Sequence, residues 1–290
     1  INGTNLQRDV DCRCRFRARG DGADATVVAS VVPFGHVACL SPPSPALSSL
    51  HDVAVTLNGQ QYTNRLEYVS FPGLASPVIS PTSGPVEGGT LLTVEGHNFT
   101  LGSDHRCAFG DAVVAATVGP ADFALRCVAP SSTAPGGSEF RISLNAQQFS
   151  PSATFVFYRD VVLPTGAHSP TSGPRDGGTL VITRGAPLAG GSDYTCFFGQ
   201  AGMVPANYTE ATDEIRCTAP RAPDVYGRQQ FAISLNGQQF SPAAEGFVFH
   251  ATPQVALPAP QSGPEMGGTS VVFVGSGLGN GSDYRCRFEG

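Results

Sequence analysis

Apolar and polar residues alternate along much of the chain. In FRISLN, Phe140, Ile142 and Leu144 fall on one side and Arg141 and Ser143 on the other, the period of two that predicts a half-buried β-strand. The same register returns at Val53, Val55 and Leu57 and at Phe231, Ile233 and Leu235. A further strand is predicted with Leu92 and Val94, Val181 and Thr183, or Val271 and Phe273 as its inward positions. Arg13, Arg15, Arg17 and Arg19 also alternate, which places them on one solvated strand face. No segment has helical length and period. The Asn-Gly pairs at 58–59 and 236–237 predict type I′ hairpin turns. Asn145-Ala146 predicts a different turn, because alanine is disfavoured at positive φ.

Whole phrases repeat as well. SGPVEGGT at 83–90 returns as SGPRDGGT at 172–179 and SGPEMGGT at 262–269. Cys-x-Phe occurs from Cys14, Cys107, Cys196 and Cys286. Aligned on these phrases, the chain divides into a partial unit at 1–75, complete units at 76–160 and 161–252, and an opening half-unit at 253–290. The first unit is expected to lack its first strand, so the chain reads as a window on a longer array. Short antiparallel strands with turn signals, repeated about every ninety residues, argue for tandem β-sandwiches, an all-β fold.

Cysteine placement sharpens this picture. Cys107 and Cys127 fall in the same two phrases (C-x-F and R-C-x-A-P) as Cys196 and Cys217, and Cys14 with Cys39 is the equivalent. Three disulfides are therefore predicted, each closing a loop worth about 3 kcal/mol to a small sandwich. Cys286 lacks a partner of this kind, and Cys12 is extra to the pattern, either a thiol or a link to another chain. Recurrent cysteines of this sort belong to an oxidising compartment. The spacing does not suit zinc, since no C-x-x-C pair or spaced histidine cluster accompanies it.

Charge narrows the partners. Charged residues make up 14% and the net charge is −6, so neither nucleic acid nor an anionic membrane is indicated as a partner. No apolar run reaches the length of a membrane span. All 17 basic residues are arginine, and Gly and Pro number 35 and 24, a composition that fits GC-rich coding such as that of a green alga.

Four N-x-S/T sequons, at Asn2, Asn98, Asn207 and Asn280, predict N-linked glycans, and three of them (Asn2, Asn98 and Asn280) share one loop position ahead of a cysteine. The glycine phrase is no phosphate loop, because a Walker motif needs a lysine and the chain has none. Its glycines are expected to supply positive φ where the first strand passes between sheets. Asp104, Asp193 and Asp283 read as turn-capping carboxylates, since one acid falls far short of a calcium shell. Arg19-Gly-Asp21 matches an integrin-binding tripeptide that three residues meet too readily by chance. The six histidines do not recur in register with any nucleophile or paired acid, so no catalytic residue, cofactor or metal is assigned.

Taken in order, SGPVEGGTLLTVEGHNF, CAFG, LRCVAP, RISLNAQQFS and FVFY resemble an IPT/TIG domain, the immunoglobulin-like module of plexin and Met-type receptor stalks. The resemblance implies an early-immunoglobulin sandwich with an extracellular or cell-surface interaction role, and it carries over no catalytic residue. The leading expectation is a non-enzymatic, disulfide-stapled, glycosylated stalk or filament segment. It would bind other surface proteins or copies of itself, with a ciliary filament resembling mastigonemes as one setting. A ligand-binding ectodomain of a plexin- or Met-like receptor is the alternative.

Overall fold

The computed structural model describes residues 11–19, 23–32, 36–44, 49–120, 123–185, 187–279 and 281–288. Strands β1 (Arg13–Ala18), β2 (Ala25–Val32), β3 (His36–Cys39), β4 (Ser49–Thr56) and β5 (Leu66–Ser70) form one antiparallel sheet in the order β3-β2-β1-β4-β5. Alternation in β1 buries Cys14 and Phe16 and turns the arginines outward. These arginines find local partners: Arg13 pairs with Asp11, Arg17 with Asp24, and Arg19 with Asp52 and Glu67. Arg15 lies 4.0 Å over the Tyr62 ring. Three of the four arginines are thus ion-paired within the chain. Gly20 and Asp21 lie outside the described residues.

The second group comprises β6 (Val78–Ser80), β7 (Ser83–Pro85), β8 (Leu91–Glu95), β9 (Arg106–Phe109), β10 (Ala112–Val118), β11 (Ala124–Val128), β12 (Gly136–Ser143) and β13 (Ala153–Tyr158). Their order is β6-β8-β11-β10-β9-β12-β13-β7. Strand β10 makes this a sandwich: residues 112–115 pair with β9 and residues 116–118 with β11, so one strand serves both layers. The opening segment is shared in the same way, with β6 antiparallel to β8 and β7 parallel to β13.

The third group repeats the plan. It contains β14 (His168–Ser169), β15 (Ser172–Pro174), β16 (Leu180–Thr183), β17 (Thr195–Phe198), β18 (Met203–Pro205), β19 (Asn207–Thr209), β20 (Glu214–Thr218), β21 (Gly227–Gln229), β22 (Phe231–Ser234), β23 (Phe240–Pro242) and β24 (Phe247–His250). One layer is β14-β16-β20-β19, and the other comprises β15-β24-β21 and β18-β17-β22-β23. Each complete group is filled by phenylalanine. Phe109 meets Phe140 and Phe155 edge-on at 5.0 and 5.3 Å, and Phe198 meets Phe231 and Phe247 at 5.1 and 5.2 Å. Such contacts add to what area burial alone supplies.

Beyond these, β25 (Gln254–Val255) pairs with β26 (Gly275–Ser276). Val271 and Phe273 were expected to face inward, but Val271 is only half-buried and Phe273 is exposed. Among the described residues no second layer lies opposite them, so alternation alone cannot bury them.

The turns also depart from expectation. Bridges Thr56–Tyr62 and Ser143–Phe149 leave five-residue loops at 57–61 and 144–148, and the Ser234–Phe240 pair leaves 235–239. These are not two-residue I′ turns, and positive φ falls on the second residue of each pair only: Gly59 at 76°, Ala146 at 57° and Gly237 at 71°. Alanine therefore shares the turn its glycine counterparts make. The reason is side-chain bonding: Asn145 Oδ1 accepts the amides of Gln147 and Gln148, as Asn58 and Asn236 do at the same offsets. This Asx-turn outweighs a left-handed penalty of about 1–2 kcal/mol.

Candidate interaction surface

Disulfides link Cys14 to Cys39, Cys107 to Cys127, and Cys196 to Cys217, each with a Cα separation of 6.4 Å. In the second group the bond ties β9 to β11 across β10, and in the third β17 to β20, so each staple joins the two layers through the core. Cys12 is buried outside these bonds, and Cys286 is exposed. Of the sequons, Asn98 and Asn207 are exposed, on different repeats, whereas Asn2 and Asn280 lie outside the described residues.

Two residues before each Cys-x-Phe cysteine stands a position the sequence reading passed over. At this place His105 Nε2 lies 2.7 Å from the Phe99 carbonyl. Tyr194 donates its hydroxyl to the Leu188 carbonyl and accepts from the Gly191 amide, and Tyr284 repeats both bonds with Leu278 and Gly281. A side chain here ties down the preceding loop. The signal was available as the recurring D-x-[RT]-C, with Cys12 in the first copy. The acids beside it serve the local fold: Asp104 and Asp283 bind Arg106 and Arg285. Among the described residues no group of three or more His, Cys, Asp or Glu could hold a metal ion.

Perturbed ionisation likewise traces to packing. Arg216 and Arg184 flank Glu214 and hold its carboxyl below the usual range. Burial lowers His168, which stacks at 4.4 Å on Phe231. A hydrogen bond with Glu87 pushes Asp160 up to about 6. Each of these shifts is accounted for by the neighbours named: two arginines, burial, and a second carboxyl.

The polar groups that do converge lie where the second and third repeats meet. Asn236, which is buried, donates Nδ2 to the Ser83 carbonyl and to Thr90 Oγ1, both at 3.2 Å. Gln238 clasps the backbone of Leu91 twice, accepting its amide at 2.9 Å and donating to its carbonyl at 2.8 Å. Gln239 accepts from Thr90 Oγ1 at 3.0 Å and donates to the Gly89 carbonyl at 3.3 Å, and Ser83 Oγ donates to Ser192 Oγ at 2.9 Å. The glycine phrase of one repeat is thus gripped by the Asn-Gly-Gln-Gln loop of the next. Positive φ at Gly88 and Gly89 shapes that phrase, and a Cβ on Gly88 would come within 2.6 Å of the Pro130 backbone. The connector is held too, because Tyr158, Val161 and Leu163 are buried in the third repeat's core.

A family model described as IPT/TIG domain matches residues 77–157 and 165–249. The chain belongs to the IPT/TIG family. It is 29% identical to human Plexin-B3 over 219 residues, covering 71% of this chain and 11% of that protein. It is 24% identical to mouse Plexin-A2 over 225 residues, covering 69% and 11%. The chain therefore spans about a tenth of these relatives' length. Among solved structures, the full extracellular region of Plexin A4 superposes with a TM-score of 0.43 at 16% identity, covering 90% of this chain and 27% of that one.

Proposed function

We propose that this IPT/TIG segment is a non-enzymatic extracellular spacer and interaction module, a stalk or filament segment built from units at 1–75, 76–160, 161–252 and 253–290. One observation carries the reading: the polar residues that converge between repeats, Asn236 and Gln238, are spent on the backbone of the preceding repeat. The disulfides support an oxidising, cell-surface setting. Exposed Asn98 and Asn207 are offered as N-glycan acceptors, with Asn2 and Asn280 as further sequons. The partners are other surface proteins or copies of the chain itself. The lysine-free composition supports an algal source, and in an alga a ciliary surface filament is one setting for such a segment.

Secretion of the chain from a eukaryotic host, followed by small-angle scattering and peptide mass spectrometry, tests this. An elongated particle is expected, with three internal disulfides and added N-acetylhexosamine-linked glycan mass at Asn98 and Asn207. A compact particle, or reduced cysteines after secretion, would overturn it. A second reading, a ligand-binding receptor ectodomain, is favoured by the plexin likeness; saturable binding of one soluble protein by the purified chain would select it.

A further inference from the structure

We propose that the Ser83–Thr90 phrase is a docking socket specific for an Asn-x-Gln-Gln loop, and that its copy at Ser172–Thr179 is a second socket for such a loop on another IPT/TIG module. The inference rests on the spacer reading and adds the code by which modules recognise one another.

What the socket offers is backbone: the Ser83 and Gly89 carbonyls and both polar groups of Leu91, all of them taken by side-chain amides of the loop. Asn and Gln are the uncharged side chains that carry a donor and an acceptor on one planar group. A Lys or Asp here would match half the edge, and at buried Asn236 it would also bury a charge with no counterpart. The loop is preformed. Asn145 Nδ2 donates to Gln148 Oε1 at 2.7 Å, as Asn236 does to Gln239 at 2.6 Å, although Ala146, Gln147 and Gln148 are exposed. Docking a loop already in its bound shape loses little freedom.

The second socket has the same construction. Gly177 and Gly178 keep positive φ, and the Gly178 amide reaches the Ala219 carbonyl at 3.0 Å, where Gly89 reaches Ala129 at 2.9 Å. The Thr179 carbonyl accepts the Ala219 amide at 2.8 Å, matching Thr90 and Ala129 at 2.8 Å. One contact of the joint is already made there, since Ser172 Oγ donates to Ser282 Oγ at 2.9 Å, the counterpart of Ser83 and Ser192. The remaining half, Leu180 and the Gly178 and Thr179 edge, awaits an Asn-x-Gln-Gln loop. Tethering in a chain raises such a weak, wholly polar contact to a high effective concentration.

The occupied joint is tested by the distance distribution between spin labels on unnatural residues at exposed Val113 and Met203. The unaltered chain should give one narrow distance, and the Asn236→Ala/Gln239→Ala variant should broaden it about twofold, because domains without a specific interface move by default. Thr90→Val, on the other side of the joint, should broaden it as well. Asn145→Ala/Gln148→Ala should change nothing. Unchanged width in the first two variants, or equal broadening in the third, overturns the proposal while leaving the extracellular reading intact. The second socket is tested with a cyclised peptide carrying the 234–241 sequence, added at about 1 mM, the range of tethered concentrations, to the isotope-labelled chain. Saturable shifts are expected at the Gly178, Thr179 and Leu180 amides, weakened by Thr179→Val and abolished when the peptide asparagine is alanine. No shift, or shifts indifferent to that asparagine, would overturn it.

Discussion

The second and third repeats share a staple, a phenylalanine core and a strand plan, yet they solve three positions differently. Where β6 buries Ile79, the third repeat buries His168 against Phe231. Where Glu95 faces Ala124 across β8 and β11, Arg184 faces Glu214, which Arg216 also grips. The continuous β10 becomes β18 and β19, separated by Ala206. The third repeat has thus traded apolar and continuous features for polar and segmented ones while its core kept the same form. In this module, then, the disulfide and the aromatic cluster carry the fold, and the periphery is free to change its chemistry.

Substitutions and titrations at equivalent positions of the two repeats test this division of labour. The largest effect belongs to the shared staple: Cys127→Ala and Cys217→Ala should each destabilise their own repeat by about 2–5 kcal/mol, read by denaturant unfolding with repeat-resolved hydrogen exchange. A large loss in one repeat and none in the other would show that the two do not depend on the staple alike. Next come the loops. Gly237→Ala places a Cβ 2.5 Å from Asp193 Oδ2 at φ 71°, and should lower the melting point of the third repeat. Ala146→Gly should raise that of the second by relieving a strain of about 1 kcal/mol. Reversed signs would mean that the two loops are not equivalent.

Titration separates the repeats more gently. His168 is lowered by burial, so it stays neutral when folded and takes up a proton more readily when unfolded. The third repeat therefore holds this stability above the ordinary histidine range and loses it as pH falls through about 6.5. His168→Ile, which copies Ile79, should abolish that loss. Glu214, held low by its arginines, has the same sign in a lower window, with its contribution lost only below the ordinary carboxylate range. The smallest effect is opposite in sign. Asp160, raised to about 6 by Glu87, makes the end of the second repeat firmer in mild acid and looser as pH rises from about 4 to about 6. Asp160→Asn should flatten that slope in hydrogen exchange near residues 156–160.

Much of the fold was legible because its signals are local. Alternation at Phe140, Ile142 and Leu144 reports a strand from six residues, and those three side chains are buried as the period requires. Local reading stopped at two kinds of place. At Ala146 a propensity argument predicted a departure that the Asn145 side chain overrode. At Val271 and Phe273 the alternation was present, but among the described residues no layer lies opposite them. The loop-tying positions His105, Tyr194 and Tyr284 were hidden by their change of residue type, since only their hydrogen bonds to the preceding loop are held in common.

The unit, its period, its sheet-forming residues and its family were readable along the chain, because each is written in neighbouring residues and repeated phrases. Tertiary structure alone decided what the Asn-Gly-Gln-Gln loop does. Its contacts at Ser83, Gly89 and Leu91 lie 147 to 153 residues away along the chain, and they involve backbone atoms that nearly every residue type possesses. Which backbone atoms that loop meets is settled only where two folded repeats meet.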